Sequence, residues 1–353
     1  MNQLRPFFLI LLCGLINACS GNNFDRQSLL NNAADNLIIP AYQDFSQTTS
    51  TLHSAVVSFN ENPNEETLKS LQLAWEEAIK SWKRAEVYNF GPVEEMILVT
   101  SIDRWPTSEA GIETAIKEYD ESDDYLVRMG SNRKGLPAIE YLLFHDEPEI
   151  VLNEFQDENR KAYLELLSES LVENSELVLD EWESSYRQEF VKATGNRPNS
   201  GITLLANEMG YLLEMIRMDK LEVPFGKQTN GVPRLQMLES EYAEISKELI
   251  TENLRAAQNA FNGSDSTGFD DYLDALNIKD EGEVLLSEAI STEYLHALSI
   301  INGMNGSLRE AIQNDKESVQ QLIDSIQKLY IYTEVDMMSQ LSLLDTFSDN
   351  DGD

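Results

Sequence analysis

Cysteine is almost missing from this chain: Cys13 and Cys19 are the only two in 353 residues. Both fall within the first nineteen positions. No disulfide, thiolate metal site or cysteine nucleophile is therefore available to the rest of the protein, and stability must come from its core. Histidine is nearly as scarce. His53, His145 and His296 stand far apart, and neither His-Glu-x-x-His nor His-x-x-Glu occurs. A hydrolytic zinc centre ordinarily takes two or three nitrogen ligands and an open position for water, which such a set does not offer. Cationic residues are also few, 26 Lys and Arg against 62 Asp and Glu, for a net charge of −36. That field repels nucleic acid and anionic lipid surfaces and attracts cations, so nucleic acid is excluded as a partner. The acids are spread along the chain except for the tail at 345–353, which reads as a solvated surface in preference to a cation trap. A Gly-x-Ser-x-Gly elbow and a phosphate-cradling glycine loop are both missing, so nucleophilic catalysis has no support.

Hairpin signals are missing too. The Thr229-Asn230-Gly231 turn lies between Pro224 and Pro233 and reads as a loop, not as the tip of two alternating strands. Helical periodicity fills the space instead. Leu68, Leu71, Trp75, Ile79, Trp82 and Val87 trace one apolar stripe at three- and four-residue steps. A second stripe holds Tyr163, Leu166, Leu167, Leu171, Val178, Trp182, Tyr186 and Phe190. A third runs through Val319, Leu322, Ile323, Ile326, Leu329, Tyr330, Val335, Met338 and Leu341. Helices this long bury such stripes only against one another, so the expected fold is all-α, with two helical-bundle domains. The Gly/Pro-rich stretches 195–201 and 224–233 are the candidate seams. The first sets the expected division into an N-terminal bundle at 27–197 and a C-terminal bundle at 198–345, with an acidic tail at 346–353.

The amino terminus carries an address. Arg5 precedes an apolar run at 6–16 that is too short for a permanent membrane span. It ends in Ile16-Asn17-Ala18-Cys19, which reads as a lipoprotein signal at 1–18 with Cys19 as the lipid acceptor, followed by a polar tether at 19–26. Removing the signal takes away Arg5, leaving 25 cations against 62 anions. Ser20 after the cysteine favours the outer membrane, so the expectation is a cell-envelope protein held to the membrane through Cys19.

Glu140 is the most informative single residue. It stands on an expected buried helical face between Leu136, Ile139, Leu142 and Leu143, where a carboxylate needs a donor, a cation or a proton. Gly135 opens that helix and Pro137 sits in its first turn, where a missing N–H costs nothing. The resulting Gly-x-Pro-x-x-Glu resembles the Gly-x-His-x-x-Glu signature of the imelysin family, with proline in place of histidine. Residues 74–92, ending in Phe-Gly-Pro, are similar to that family's Trp-rich helix, and Ile102-Asp103-Arg104-Trp105-Pro106 to its Ile-Asp-x-Trp-Pro turn. Lys220-Leu221, Pro224 and Gly226, then Glu239-Ser240 and a helix to Phe261-Asn262-Gly263, are similar to its second-half signature. The resemblance runs in order over residues 35–345. It implies a two-part helical envelope protein, links to iron uptake and, for the founding members, a claimed peptidase activity.

Pro137 removes the histidine that the signature would supply, and His145, five residues past Glu140, is off its face. Peptidase chemistry is therefore disfavoured. Glu293-x-x-His296 places two side chains on one helix face, but a di-iron bundle needs a second such pair. A solvated acid beside a packed histidine is the expectation there. The ligand-binding candidates are Asp103, Arg104, Trp105, Gly135, Pro137, Glu140, Lys220, Glu239 and Ser240, with Asp219, Glu241 and Arg217 nearby in the same reading. If the halves fold as the resemblance implies, the 103–106 turn and the 135–140 helix meet at a cleft. Oxygen donors there suit a hard cation, iron or calcium, and a charge-paired set suits a small polar ligand. Alternatively Glu140 pairs with Arg104 or another cation and fastens the turn. The reading adopted is an envelope lipoprotein that binds a small ligand or an envelope protein partner in iron or nutrient handling. A metal-dependent peptidase with non-standard ligands and a structural or adhesive lipoprotein remain the alternatives.

Overall fold

The computed structural model describes residues 24–344, apart from 121, 123 and 265. The expected signal peptide, the expected lipid acceptor Cys19 and the acidic tail lie outside the described residues. Within them the chain is predominantly helical and forms no strand; one antiparallel bridge pairs Lys279 with Leu285. No described helix is long and apolar enough to cross a membrane.

The first half is organised by the helices Ile39–Glu61 and Glu65–Ala85, which fold back on each other through a short turn. Asn64 starts the second helix by accepting from Glu66 N at 2.9 Å and Thr67 N at 3.2 Å, while Thr67 Oγ1 accepts from Asn64 N at 3.1 Å. This reciprocal cap satisfies amides that the helix itself cannot. Glu158–Glu181 packs on Ile39–Glu61, and the short helix Gly135–Phe144 is wedged between it and Glu65–Ala85. The second half contains Gly201–Met215, Ser246–Asn262, Leu286–Gly303 and Lys316–Tyr330. Ser246–Asn262 lies directly against Glu65–Ala85, so the apolar core runs from one half into the other.

Two of the three stripes are buried as their spacing requires, with Trp75, Trp82 and Trp182 fully enclosed. The third departs at one place. Val335 is 53% exposed while its neighbour Glu334 is buried. The cause is a π-helical stretch at Ile331–Met337, whose wider turn shifts the phase of the stripe before Met338 and Leu341 return to the core. A second π-helical stretch, Ile216–Glu222, does the same for charge: Lys220 points inward and Asp219 outward.

Residues 24–26, which the sequence reading assigns to the tether, pack on the helical fold. Phe24 stacks on Tyr272 with ring centroids 4.4 Å apart, and Arg26 donates to the Tyr272 hydroxyl at 2.5 and 2.9 Å. The 224–233 segment is a loop, as its prolines require; Gly226 at φ +91° and Arg234 N donating to Pro224 O at 2.9 Å close it.

Candidate functional site

Lys83 and Glu86 extend the apolar stripe that carries Trp75, Ile79 and Trp82, so the helix geometry turns two charges into the core. Both are buried, together with Asp103, Lys220, Glu239, Glu140 and Asn253. Lys83 Nζ lies 3.0 Å from Glu86 Oε1 and 2.7 Å from Glu239 Oε1, and it also donates to Asp103 Oδ2. Lys220 Nζ lies 3.0 Å from Glu86 Oε2, 2.9 Å from Glu239 Oε1 and 2.6 Å from Asn253 Oδ1. Asn253 in turn donates to Glu86 Oε2 and to the Lys83 carbonyl. Trp82 Nε1 donates to Asp103 Oδ2 at 3.0 Å. Three carboxylates thus face two ammoniums in a space closed to water.

The protonation states follow from that closure. Burial works against the Lys83 ammonium, but the charges of Asp103, Glu239 and Glu86 overcome it and hold its pKa well above the ordinary value. Burial likewise opposes the Glu86 carboxylate, and Lys220 and Lys83 pull its pKa down. Asp103 goes the other way. Burial, with the like charges of Glu239 and Glu86, outweighs Lys83 and raises it. Asp103 therefore takes up a proton before Glu86 does.

Glu140 stands beside this core and is held differently. Its Oε1 accepts from Ser240 Oγ at 2.8 Å, Tyr242 N at 3.0 Å and Ala243 N at 2.9 Å. Its partner is therefore a turn, not Arg104, whose side chain is exposed. Burial pushes its carboxyl up to about 7 despite those three donors, with Asp103 adding a like-charge contribution. Gly135 lets the 101–103 segment approach: at φ +69°, a Cβ there would lie 2.1 Å from the Ile102 carbonyl oxygen. Pro137 is enclosed in the first turn of the same helix.

The expected cleft is thus a sealed ionic core. It brings together Asp103, Gly135, Pro137, Glu140, Lys220, Glu239 and Ser240. Trp105 forms part of its cover, half-buried, with its ring centroid 5.6 Å from Lys83 Nζ and 5.5 Å from Lys220 Nζ. Arg104 and Asp219 face outward, Glu241 pairs with Arg309, and Arg217 pairs with Glu222. Lys83, Glu86 and Asn253 escaped the sequence reading, although opposite charges on an otherwise apolar stripe were a usable signal. Glu293 and His296 reverse the expectation: the acid is buried and bonded to Ser325 and Lys328, and the histidine side chain is 60% exposed. His145 is engaged by the Tyr141 carbonyl and by Glu154.

Glu86, Asp103 and Glu239 offer carboxylate oxygens that lie within 4.8 Å of one another, the spacing of a cation site. The donor set does not fit a resident zinc. It contains no nitrogen or thiolate ligand, and Lys83 Nζ already touches all three carboxylates. What the core leaves open are acceptors. Asp103 Oδ1 and Glu239 Oε2 are buried without a hydrogen-bond partner, and Glu239 Oε1 meets its two ammoniums outside hydrogen-bond geometry.

The family model described as Imelysin, a peptidase family, matches residues 38–334. The chain belongs to the imelysin family. An imelysin-like protein from Psychrobacter arcticum 273-4 shares the fold, with a TM-score of 0.75 at 18% identity, over 91% of this chain and 97% of that one. A protein of Parabacteroides distasonis ATCC 8503, described as an iron-regulated protein A precursor, superposes with a TM-score of 0.74 at 19% identity, over 88% and 94%. A search among curated proteins gives no match.

Proposed function

We propose that this imelysin-family protein is a non-catalytic binding protein of the cell envelope, anchored through Cys19 and serving iron or nutrient uptake. The carrying observation is that Lys83 Nζ contacts Glu86, Asp103 and Glu239 at once. An ammonium stands where a catalytic metal would have to sit. Proline at 137 and a Glu140 committed to the 240–243 turn support the same reading. The unpartnered oxygens of Asp103 and Glu239 favour a small ligand that donates hydrogen bonds, admitted when Trp105 moves. The link to iron is supported by the iron-regulated relative's description and by nothing in the donor set.

Two assays test this reading. Elemental analysis of dialysed protein should find iron, zinc and calcium well below one per chain, and chelator should change no peptide cleavage. Stoichiometric zinc with chelator-sensitive cleavage would replace this reading with the peptidase one. For the anchor, Cys19→Ala should move the folded protein from the membrane fraction to the soluble one; continued sedimentation after a high-salt wash would refute lipidation.

A further inference from the structure

A second site lies on the outer side of the same helices. Arg84 follows Lys83, Glu252 precedes Asn253, and Tyr88 ends the turn begun by Glu86, so the elements that close the ionic core also wall a cavity facing away from it. That cavity has about 370 Å³ of accessible space between the two halves of the chain. It is large enough for a small organic ligand. Leu37, Pro40 and Ala41 give it an apolar wall.

Its charges form a chain with two loose ends. Arg84 uses Nε and both terminal nitrogens: Nε and Nη2 on Asp44 Oδ2 at 3.2 and 2.8 Å, Nη1 on Glu252 Oε2 at 3.1 Å. Arg84 thereby spends three of its five N–H donors within the protein. Arg255 gives Nη1 to Glu252 Oε1 at 3.0 Å, and its side chain is otherwise half exposed. It keeps further N–H donors for a carboxylate, in the forked geometry that suits one. Asp44 uses one oxygen and is 46% exposed, leaving the other for an ammonium. Four charges sum to zero, so neither a lone anion nor a lone cation is favoured by the field.

The floor supplies the observation that points to an occupant. Tyr88 is 97% buried yet lines the cavity, and its hydroxyl has no hydrogen-bond partner among the described residues. Burial raises its pKa, so it remains a neutral phenol with a proton to donate. That hydroxyl is not among the sealed unpartnered atoms of the described residues, so it opens onto the cavity, where a bound acceptor can take its hydrogen bond.

We propose that this cavity binds a small zwitterion, a molecule with an amine, a carboxylate and an apolar body of about the size of a free amino acid. The carboxylate meets Arg255, the ammonium meets the free oxygen of Asp44, the apolar body lies on Leu37 and Pro40, and Tyr88 donates from below. The proposal does not depend on the role of the ionic core.

Calorimetric titration of the purified protein with L-leucine tests it, against 3-methylbutan-1-amine and 4-methylpentanoate, which each lack one charge. Saturable binding of leucine is expected, about ten-fold tighter than either half-molecule. Tyr88→Phe should weaken leucine about five-fold with an unchanged melting temperature, because the hydroxyl it removes bonds to nothing in the protein. Arg255→Gln should weaken it about ten-fold. The proposal is overturned by an absence of saturable heat up to about 10 mM leucine. It is equally overturned if leucine and 4-methylpentanoate bind alike, or if both substitutions leave binding intact.

Discussion

Two lysine–carboxylate networks in this molecule use the same residue types and differ in their access to water. In the core, Lys83 and Lys220 are fully enclosed with Glu86, Asp103 and Glu239. Near the chain end, Glu293 is also buried, but its partner Lys328 is 54% exposed and His296 lies in solvent. Water can replace Lys328 if it leaves; the enclosed site of Lys83 is closed to water. Desolvation cost and mutual attraction are both large in the first network and both small in the second. The comparison shows why an ion pair's presence says little about its worth until its exposure is known.

The largest effect follows from breaking the enclosed network. Lys83→Met should leave Glu86, Asp103 and Glu239 with Lys220 alone and cost about 3–5 kcal/mol in urea unfolding at pH 7.5. A loss below about 1 kcal/mol would place the core in the same class as the exposed network. Glu140→Ala should cost on the order of 3 kcal/mol, because the Ser240 hydroxyl and two backbone N–H groups lose their acceptor.

Glu140 also gives a pH signature opposite in sign to that of Glu293, whose carboxyl burial works to raise but Lys328 and Ser325 hold below its ordinary value. The Glu140 carboxyl rises from 4.5 to about 7 on folding, so the folded state holds the proton more tightly than the unfolded chain. Its contribution is then fully present below pH 4.5 and is lost as pH climbs to 7. Relative to Glu140→Gln, the native protein should lose about 3 kcal/mol across that window. A flat difference between the two proteins would refute the burial of an ionisable Glu140. Smaller effects come from the edges. Trp105→Ala, which strips the cover over both ammoniums, should cost about 1–2 kcal/mol. Lys328→Ala should cost under about 1 kcal/mol, and the cost should shrink further in salt.

The helical fold was legible because long apolar stripes at helical spacing have few other outcomes, and Trp75, Ile79 and Trp82 are buried as that spacing demands. The stripe failed at Val335, where a π-helical stretch altered the phase; residue identity carries no clear mark of such a turn. The site was half legible. Glu140, Asp103 and Glu239 stood out as acids in apolar or turn-forming contexts. Lys83 and Glu86 lie on the helix of the first stripe and were not singled out, although Lys83 sits four residues past Ile79. Their meaning depends on Lys220 and Asn253, which arrive from the other half of the chain. Long-range pairing of that kind is invisible to local periodicity. Pro137, standing where the resembled signature has histidine, is a difference that could be read without any coordinates.

The central claim is that ammonium ions occupy the place of a metal in this core. It is tested most directly by thermal melting at pH 7.5 with and without 1 mM zinc, iron(II) or calcium, a concentration about a thousand times a micromolar dissociation constant. The account predicts an unchanged melting temperature for the native protein. It predicts a rise only in Lys83→Met, where three carboxylates that lie within 4.8 Å of one another are released to a divalent cation. Stabilisation of the native protein by several degrees, abolished by Glu239→Gln, would contradict it.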